Sequence, residues 1–359
     1  MISRTRIPRP PRNSGKRSRL PAAAVLALAC GLLAACGGGA AGSAGKSITL
    51  YSGQHPQTTQ ALVNAFEQKT GINVNVRPND EDMLADQILT EGSRSPADVF
   101  YTENSPPLEH LQELGLLSKV DPATLAHTPA KYNSPQGDWV GVSARVSVLI
   151  YNPALIPASQ LPTGILQLAE PKYRGKLAIA PAETDFQSVV TSVLRADGKT
   201  AALSWLKSIK ANAGSHVYPD NETIAADVNA GAVAFGVINQ YYWYRLRAEI
   251  GAGRIHSKIV HFAAHDPGYV LDISGAAVLK SSKNQAAAQK FLAFLVSKQA
   301  QEIIGNPAKS ISFEYPIASG VTTLAPETPL AQLKPYPITV GELGDGIAAI
   351  DLLREAGLL

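Results

Sequence analysis

From residue 47 onward the apolar positions follow two periods that take turns along the chain. Residues 47–52 (SITLYS) form a short run with strand character. Over 58–70 the apolar residues Leu62, Val63 and Phe66 recur at helical spacing, and Gly71 closes the run. Residues 72–76 alternate as a strand, 98–101 (DVFY) is a second short strand, and 107–115 reads as a helix stopped by Gly115. The segment 142–151 (VSARVSVLIY) has strong strand character and ends at Asn152-Pro153. It and 269–279 (YVLDISGAAVL) are the candidates for strands crossing between two lobes. Further on, the pattern predicts strands at 176–180 and 232–238, and helices at 185–196, 201–210 and 224–230. A last amphipathic helix at 285–297 carries Ala288, Phe291, Leu292 and Leu295 on one face. Strands alternating with helices predict an α/β protein whose lobes are mostly parallel sheets flanked by helices.

The first 46 residues obey a different pattern. Arg4, Arg6, Arg9, Arg12, Lys16, Arg17 and Arg19 form a basic stretch without an acid, and an apolar run follows over 20–35. That run is shorter than the roughly 20 residues of a membrane-spanning helix and ends in small residues, as a secretion signal does. Leu33-Ala34-Ala35-Cys36 matches the lipoprotein processing motif, so residues 1–35 read as a signal peptide and Cys36 as the lipidated residue. Residues 36–46, rich in Gly and Ala, then form a flexible leash. The competing reading is a short core or anchor helix with an incidental cysteine. Because Cys30 falls in the discarded segment, the mature body holds no cysteine besides Cys36, which excludes a disulfide or thiolate metal site there. Any metal must therefore take oxygen and nitrogen ligands.

Composition changes the picture in two respects. The chain has 359 residues, enough for two moderate domains, and 45% hydrophobic with 17% charged residues suits an ordered globular body. Its formal charge of +3 comes from the leader, since the remainder holds 25 basic against 29 acidic side chains. A mildly acidic body without a basic stripe argues against nucleic acid as partner.

Ligands of open α/β sheets bind beyond the carboxyl ends of strands, often against helix N-termini. Four segments fall there: Gly53-Gln54-His55, Glu103-Asn104, Glu183-Thr184-Asp185 and Asn239-Gln240-Tyr241-Tyr242. Neighbouring tyrosines on a strand would face opposite ways, whereas at a strand-to-helix turn both can enter one cleft. Two phenolates, a carboxylate and one imidazole suit a hard trivalent cation. Taken alone, the tyrosine pair also fits packing or a stacking platform. The run Tyr241-Tyr242-Trp243-Tyr244 could equally line a pocket for a polyamine or a thiamine-like cation, although His55 and Glu103 would then be unexplained.

Several long segments decide among these. They are Tyr51–His55 (YSGQH), Glu91–Tyr101 (EGSRSPADVFY), Asn239–Trp243 (NQYYW), Asp266-Pro267-Gly268 and Ser274–Ser282 (SGAAVLKSS). In these the chain resembles the bacterial ferric-ion-binding proteins, the substrate-binding components of iron ABC importers, from Ile48 to about Gly357. The resemblance implies a two-lobed type II periplasmic-binding-protein fold with two hinge crossings. Its lobes would be 47–144 plus 272–318 and 145–271 plus 319–359. It further implies Fe3+ as the transported ligand, held by His55, Glu103, Tyr241 and Tyr242, with a synergistic anion such as phosphate or carbonate. The anion pocket maps to Glu183, Thr184 and Asp185, with Asn221, Asn239 and Asn104 as neighbouring amides and Arg145 near the hinge. Implied partners are an ABC permease and its ATPase, and the membrane through the lipid on Cys36. The protein would be a monomer outside the cytoplasm.

One departure from the family pattern concerns that pocket. Ala182-Glu183-Thr184-Asp185 stands where many members carry a Thr-Ser-Gly-Ala-like cradle, and two carboxylates there would repel phosphate. Either Asp185 or Glu183 replaces the exogenous anion or favours a smaller one, or Asp185 only stabilises the helix dipole. Thr184 and Gln187 read as a capping box. His256, His261 and His265 suggest a second metal cluster, but their irregular spacing and the lack of an acidic partner at a helical offset favour a structural role. With no G-x-S-x-G elbow and no H-E-x-x-H motif, the chain does not read as an enzyme.

Overall fold

A computed structural model describes residues 47–359. The expected signal segment, Cys36 and the leash lie outside the described residues. Nine strands are present among the described residues: β1 Ser47–Ser52, β2 Asn73–Pro78, β3 Val99–Tyr101, β4 Val140–Tyr151, β5 Leu177–Ala178, β6 Phe235–Asn239, β7 Lys258–Val260, β8 Leu271–Val278 and β9 Tyr315–Pro316. They join in the order β2-β1-β3-β8-β4-β6-β5, with β7 and β9 also paired to β4.

β4 explains the architecture. All twelve of its residues are buried, including Ser143, Arg145 and Ser147 among the apolar ones. Its first half pairs antiparallel with β8 from Val140 to Val146, and its second half pairs with β6 from Ser147 to Tyr151. One strand thus leaves one sheet and enters the other, and β8 accompanies it before pairing with β3 at Ala276–Val278. Away from these crossings the pairs β1–β2, β1–β3 and β5–β6 are parallel, while both crossing strands run antiparallel to their neighbours. The result is a first lobe on β1, β2 and β3 and a second on β5, β6 and β7.

Helices cover the sheets where the apolar spacing places them. The helix Pro56–Thr70 starts with Pro56 in its first turn and stops at Gly71, whose φ of 68° is left-handed. Phe66 from its buried face meets Phe291 of the helix Gln285–Leu295 edge-on, with centroids 4.9 Å apart.

Two features differ from the pattern reading. The helix Glu81–Glu91 has no strong apolar stripe and goes unread in the sequence. It is started by Asp80, whose side chain accepts from the Asp82 and Met83 amides. The two helices expected at 185–196 and 201–210 are both present within Thr184–Ala213, divided by a kink at Gly198 with φ 80° and ψ 168°, a conformation that favours glycine. The strand expected at 232–238 begins only at Phe235, because Gly231 turns the chain with φ 81°. The C-terminal helix Ile347–Ala356 packs on Thr184–Ala213.

Candidate metal centre between the lobes

Each candidate ligand sits where a strand ends. His55 follows β1 and directly precedes Pro56, and its amide donates to Gln54 Oε1 over 2.8 Å. Glu103 lies in the loop after β3. Tyr241 and Tyr242 occupy the first turn of the helix Gln240–Ile250, which continues from β6 without a linker. Helical rather than extended geometry at that point turns both rings to one side, with centroids 4.1 Å apart at 31°. Gln240 anchors this turn to the crossing, accepting from the Val146 amide at 2.8 Å and donating to the Phe313 carbonyl at 3.1 Å.

The four side chains meet across the cleft. His55 Nε2 lies 3.1 Å from Glu103 Oε1 and 3.1 Å from the Tyr241 hydroxyl, which donates to Glu103 Oε2 at 3.1 Å. The His55 ring meets Tyr242 edge-on at 5.7 Å. Burial, then Arg245 and Arg145, holds the His55 pKa well below its ordinary value, so the imidazole is neutral with a lone pair available. Burial, then the charges of Asp185 and Glu103, raises both tyrosines well above the ordinary phenol value. Without a cation these phenols keep their protons, and a trivalent ion would have to displace them. Glu103 is raised as well, by burial first, with Arg145 opposing.

Asp185 and Glu183 part company. Asp185 is buried, taking Asn104 Nδ2 on Oδ1 at 3.0 Å and Asn221 Nδ2 on Oδ2 at 3.1 Å. Burial raises its pKa, while Arg145 and the hydrogen bonds from Asn104 and Tyr242 pull it down. Asn239, with an Nδ2 that has no partner among the described residues, lines a narrow gap of about 10 Å³ together with Asp185 and Asn221. Arg145 lies on β4 at the crossing, fully buried, paired with Glu314 at 3.0 Å, its guanidinium 5.5 Å from the Tyr241 ring centre. Glu183 lines a different cavity, of about 120 Å³, together with the candidate ligands His55, Glu103 and Tyr242 and with Glu222. Burial and the neighbouring Asp185 push it up to about 9.

The capping box is corrected. The helix begins at Thr184 with Glu183 as its cap residue, and Gln187 Nε2 donates to the Ala182 carbonyl at 3.1 Å. The Thr184 hydroxyl does not cap the helix but donates to Glu81 in the other lobe.

Some site residues escaped the sequence reading. Glu81 is buried beneath Glu103, Glu314 neutralises Arg145, and Glu222 approaches both His55 Nδ1 at 3.9 Å and Arg245 at 3.7 Å. The acidic triplet Asp80-Glu81-Asp82 was the available signal, as a helix start with its first-turn acids. His256, His261 and His265 form no metal-holding group among the described residues. His261 instead stacks on Tyr269 at 5.0 Å. The cavity beside the four side chains is smaller than the roughly 300–1,000 Å³ of small-molecule pockets, which disfavours an organic cation. A larger cavity of about 750 Å³ under the segment 315–335 is lined by none of the candidate residues. No helix among the described residues is long and apolar enough to cross a membrane.

A mixed sheet pair joined by two crossing strands, with polar side chains converging between the halves, defines a two-lobed binding protein. The chain belongs to the bacterial extracellular solute-binding protein family, whose profile matches residues 52–302. It is 38% identical to the Fe(3+)-binding periplasmic protein of Serratia marcescens over 335 residues, covering 93% of this chain and 97% of that one. It is 35% identical to the major ferric iron-binding protein of Neisseria meningitidis serogroup A, covering 87% of this chain and 93% of that one. The crystal structure of iron-bound HitA from Pseudomonas aeruginosa superposes with a TM-score of 0.82 at 39% identity, covering 87% of this chain and 99% of that one. The fold is the two-lobed type II arrangement of these ferric-binding relatives.

Proposed function

We propose that this protein captures ferric iron between its lobes and hands it to an ABC importer. His55 and Glu103 from the first lobe, with Tyr241 and Tyr242 from the second, are the proposed ligands. The lobes would be 47–144 with 272–318 and 145–271 with 319–359. The observation that carries this reading is the meeting of an imidazole nitrogen, a carboxylate and a phenol within 3.1 Å of one another across the cleft, with a second phenol stacked beside them. Two phenolates and one carboxylate balance a trivalent ion while His55 stays neutral. The names of the relatives point the same way.

Asp185 is the proposed substitute for an exogenous anion. Supporting this, its carboxylate already occupies two of the amides expected to hold such an anion. Ferric iron bridging the lobes would favour the closed state by its differential affinity, and docking on the permease with its ATPase would reopen it. The protein would act as a monomer outside the cytoplasm, held by a lipid on Cys36, and would bind without turning its ligand over.

The test is to add ferric citrate to the protein and look for a visible phenolate-to-iron charge-transfer band. Tyr241→Phe and Tyr242→Phe are expected to weaken or abolish it. Full colour and full affinity in both variants would refute the ligand assignment.

A further inference from the structure

Behind the four candidate ligands the lobes touch a second time, through Glu81. The Glu81 side chain is buried and belongs to the first turn of the helix Glu81–Glu91 in the first lobe. Its Oε2 accepts the backbone amides of Glu103 at 2.6 Å and Asn104 at 3.0 Å. Its Oε1 accepts Asn104 Nδ2 at 3.0 Å and, from the second lobe, the Thr184 hydroxyl. Asn104 Nδ2 also reaches Thr184 Oγ1 at 2.8 Å. One carboxylate therefore gathers four donors from two lobes. Gly53 lets it come this close, since a Cβ there would stand 2.5 Å from the Glu81 Cβ.

We infer that Glu81 is a positioning residue with two roles: it fixes the Glu103–Asn104 loop in which a metal ligand stands, and with Thr184 it clasps the closed cleft without using the metal. The second role separates it from the contacts of Tyr241 with His55 and Glu103, which iron would replace with its own bonds. The Glu81–Thr184 contact competes with no proposed ligand, so it favours closure in both the metal-free and the loaded protein. Closure that is partly independent of iron would slow escape of the bound ion, because opening would break this contact as well as the metal bonds.

The inference rests on the iron-capture reading for its effect on release, but its structural half can be read without iron. In the full-length protein, Thr184→Val is expected to speed iron release to a competing chelator roughly tenfold, by analogy with losing one hydrogen bond to a carboxylate. Thr184→Ser should restore the native rate. Glu81→Gln keeps the size but turns one acceptor into a donor facing donors. It should speed release further, shift the charge-transfer band through a displaced Glu103, and raise hydrogen exchange at the Glu103 and Asn104 amides of the metal-free protein. Native release in Thr184→Val, or native exchange at those amides in Glu81→Gln, would overturn the inference. If Tyr242→Phe kept its colour while exchange still rose in Glu81→Gln, the ligand assignment would fall and the bracing of the loop would stand. If Glu81→Gln fails to fold, the Thr184 pair of variants decides the matter alone.

Discussion

At the scale of single residues, the tyrosine pair depends on where β6 stops. On a strand the two rings would point apart, and in the first helical turn they stack at 4.1 Å. His55, Glu103 and the amide Asn104 were legible as residues after strand ends, and Asn221 came only with the family resemblance. Glu81 showed only as part of an acidic helix start, and Glu314 left no mark, because the buried donors a carboxylate answers are not local in sequence. Arg145 shows what such a partner is worth. Arg145→Met would leave Glu314 buried without its cation and should cost about 3–5 kcal/mol of stability, measurable by urea denaturation of the metal-free protein. Asp185→Ala should make iron affinity depend on added phosphate or carbonate, by about tenfold or more between buffers with and without the anion. That figure reflects one charged hydrogen-bonding group lost from the cradle. Equal affinity in both buffers would remove Asp185 from the proposed anion role.

At the scale of elements, the pattern reading succeeded where burial is one-sided or complete. The helix Pro56–Thr70 and the strands β1, β4 and β8 carry their spacing openly, with ends within a few residues of expectation. The helix Glu81–Glu91 was missed because its buried set of Glu81, Leu84, Ala85 and Ile88 is short and begins with a charged residue. Its packing supplies a test. Gly53→Ala would drive a methyl into the Glu81 Cβ at 2.5 Å, so the helix must shift outward. Overpacking of this kind costs about 1–3 kcal/mol. Thermal unfolding should register that loss, and iron affinity should fall with it, since Glu103 hangs from the displaced side chain.

Over the whole molecule, several buried carboxyl groups are made harder to ionise by folding. Burial and like charge push Asp82 to about 7 and Glu183 to about 9, and burial above all carries Asp272 to about 6 and Glu327 to about 7. Between the ordinary carboxyl value and these raised ones, the folded chain holds protons that the unfolded chain has released. Stability of the metal-free protein should therefore fall as pH rises through that window. His55 and His261, both lowered by burial, work in the opposite sense near their ordinary value but are outnumbered. The proposed iron complex should behave the other way, because phenolate ligation releases protons and strengthens as pH rises. Melting curves with and without iron at about pH 5.5 and about pH 7.5 check both signs. A metal-free protein more stable at the higher pH would contradict the burial argument.

The sequence by itself determined the alternation of strands and helices, the two crossing strands, and the strand ends at which candidate ligands stand, because apolar period and turn chemistry are local properties. Tertiary structure decided which of those ends face one another. It set Asp185 between the amides of Asn104 and Asn221 and Glu183 in the cavity of His55 and Tyr242, gave Thr184 to Glu81 rather than to its own helix, and gave Glu314 to Arg145. The Arg145–Glu314 pair joins residues 169 positions apart through the pairing of β9 with β4, and the Thr184–Glu81 contact forms only where one lobe meets the other.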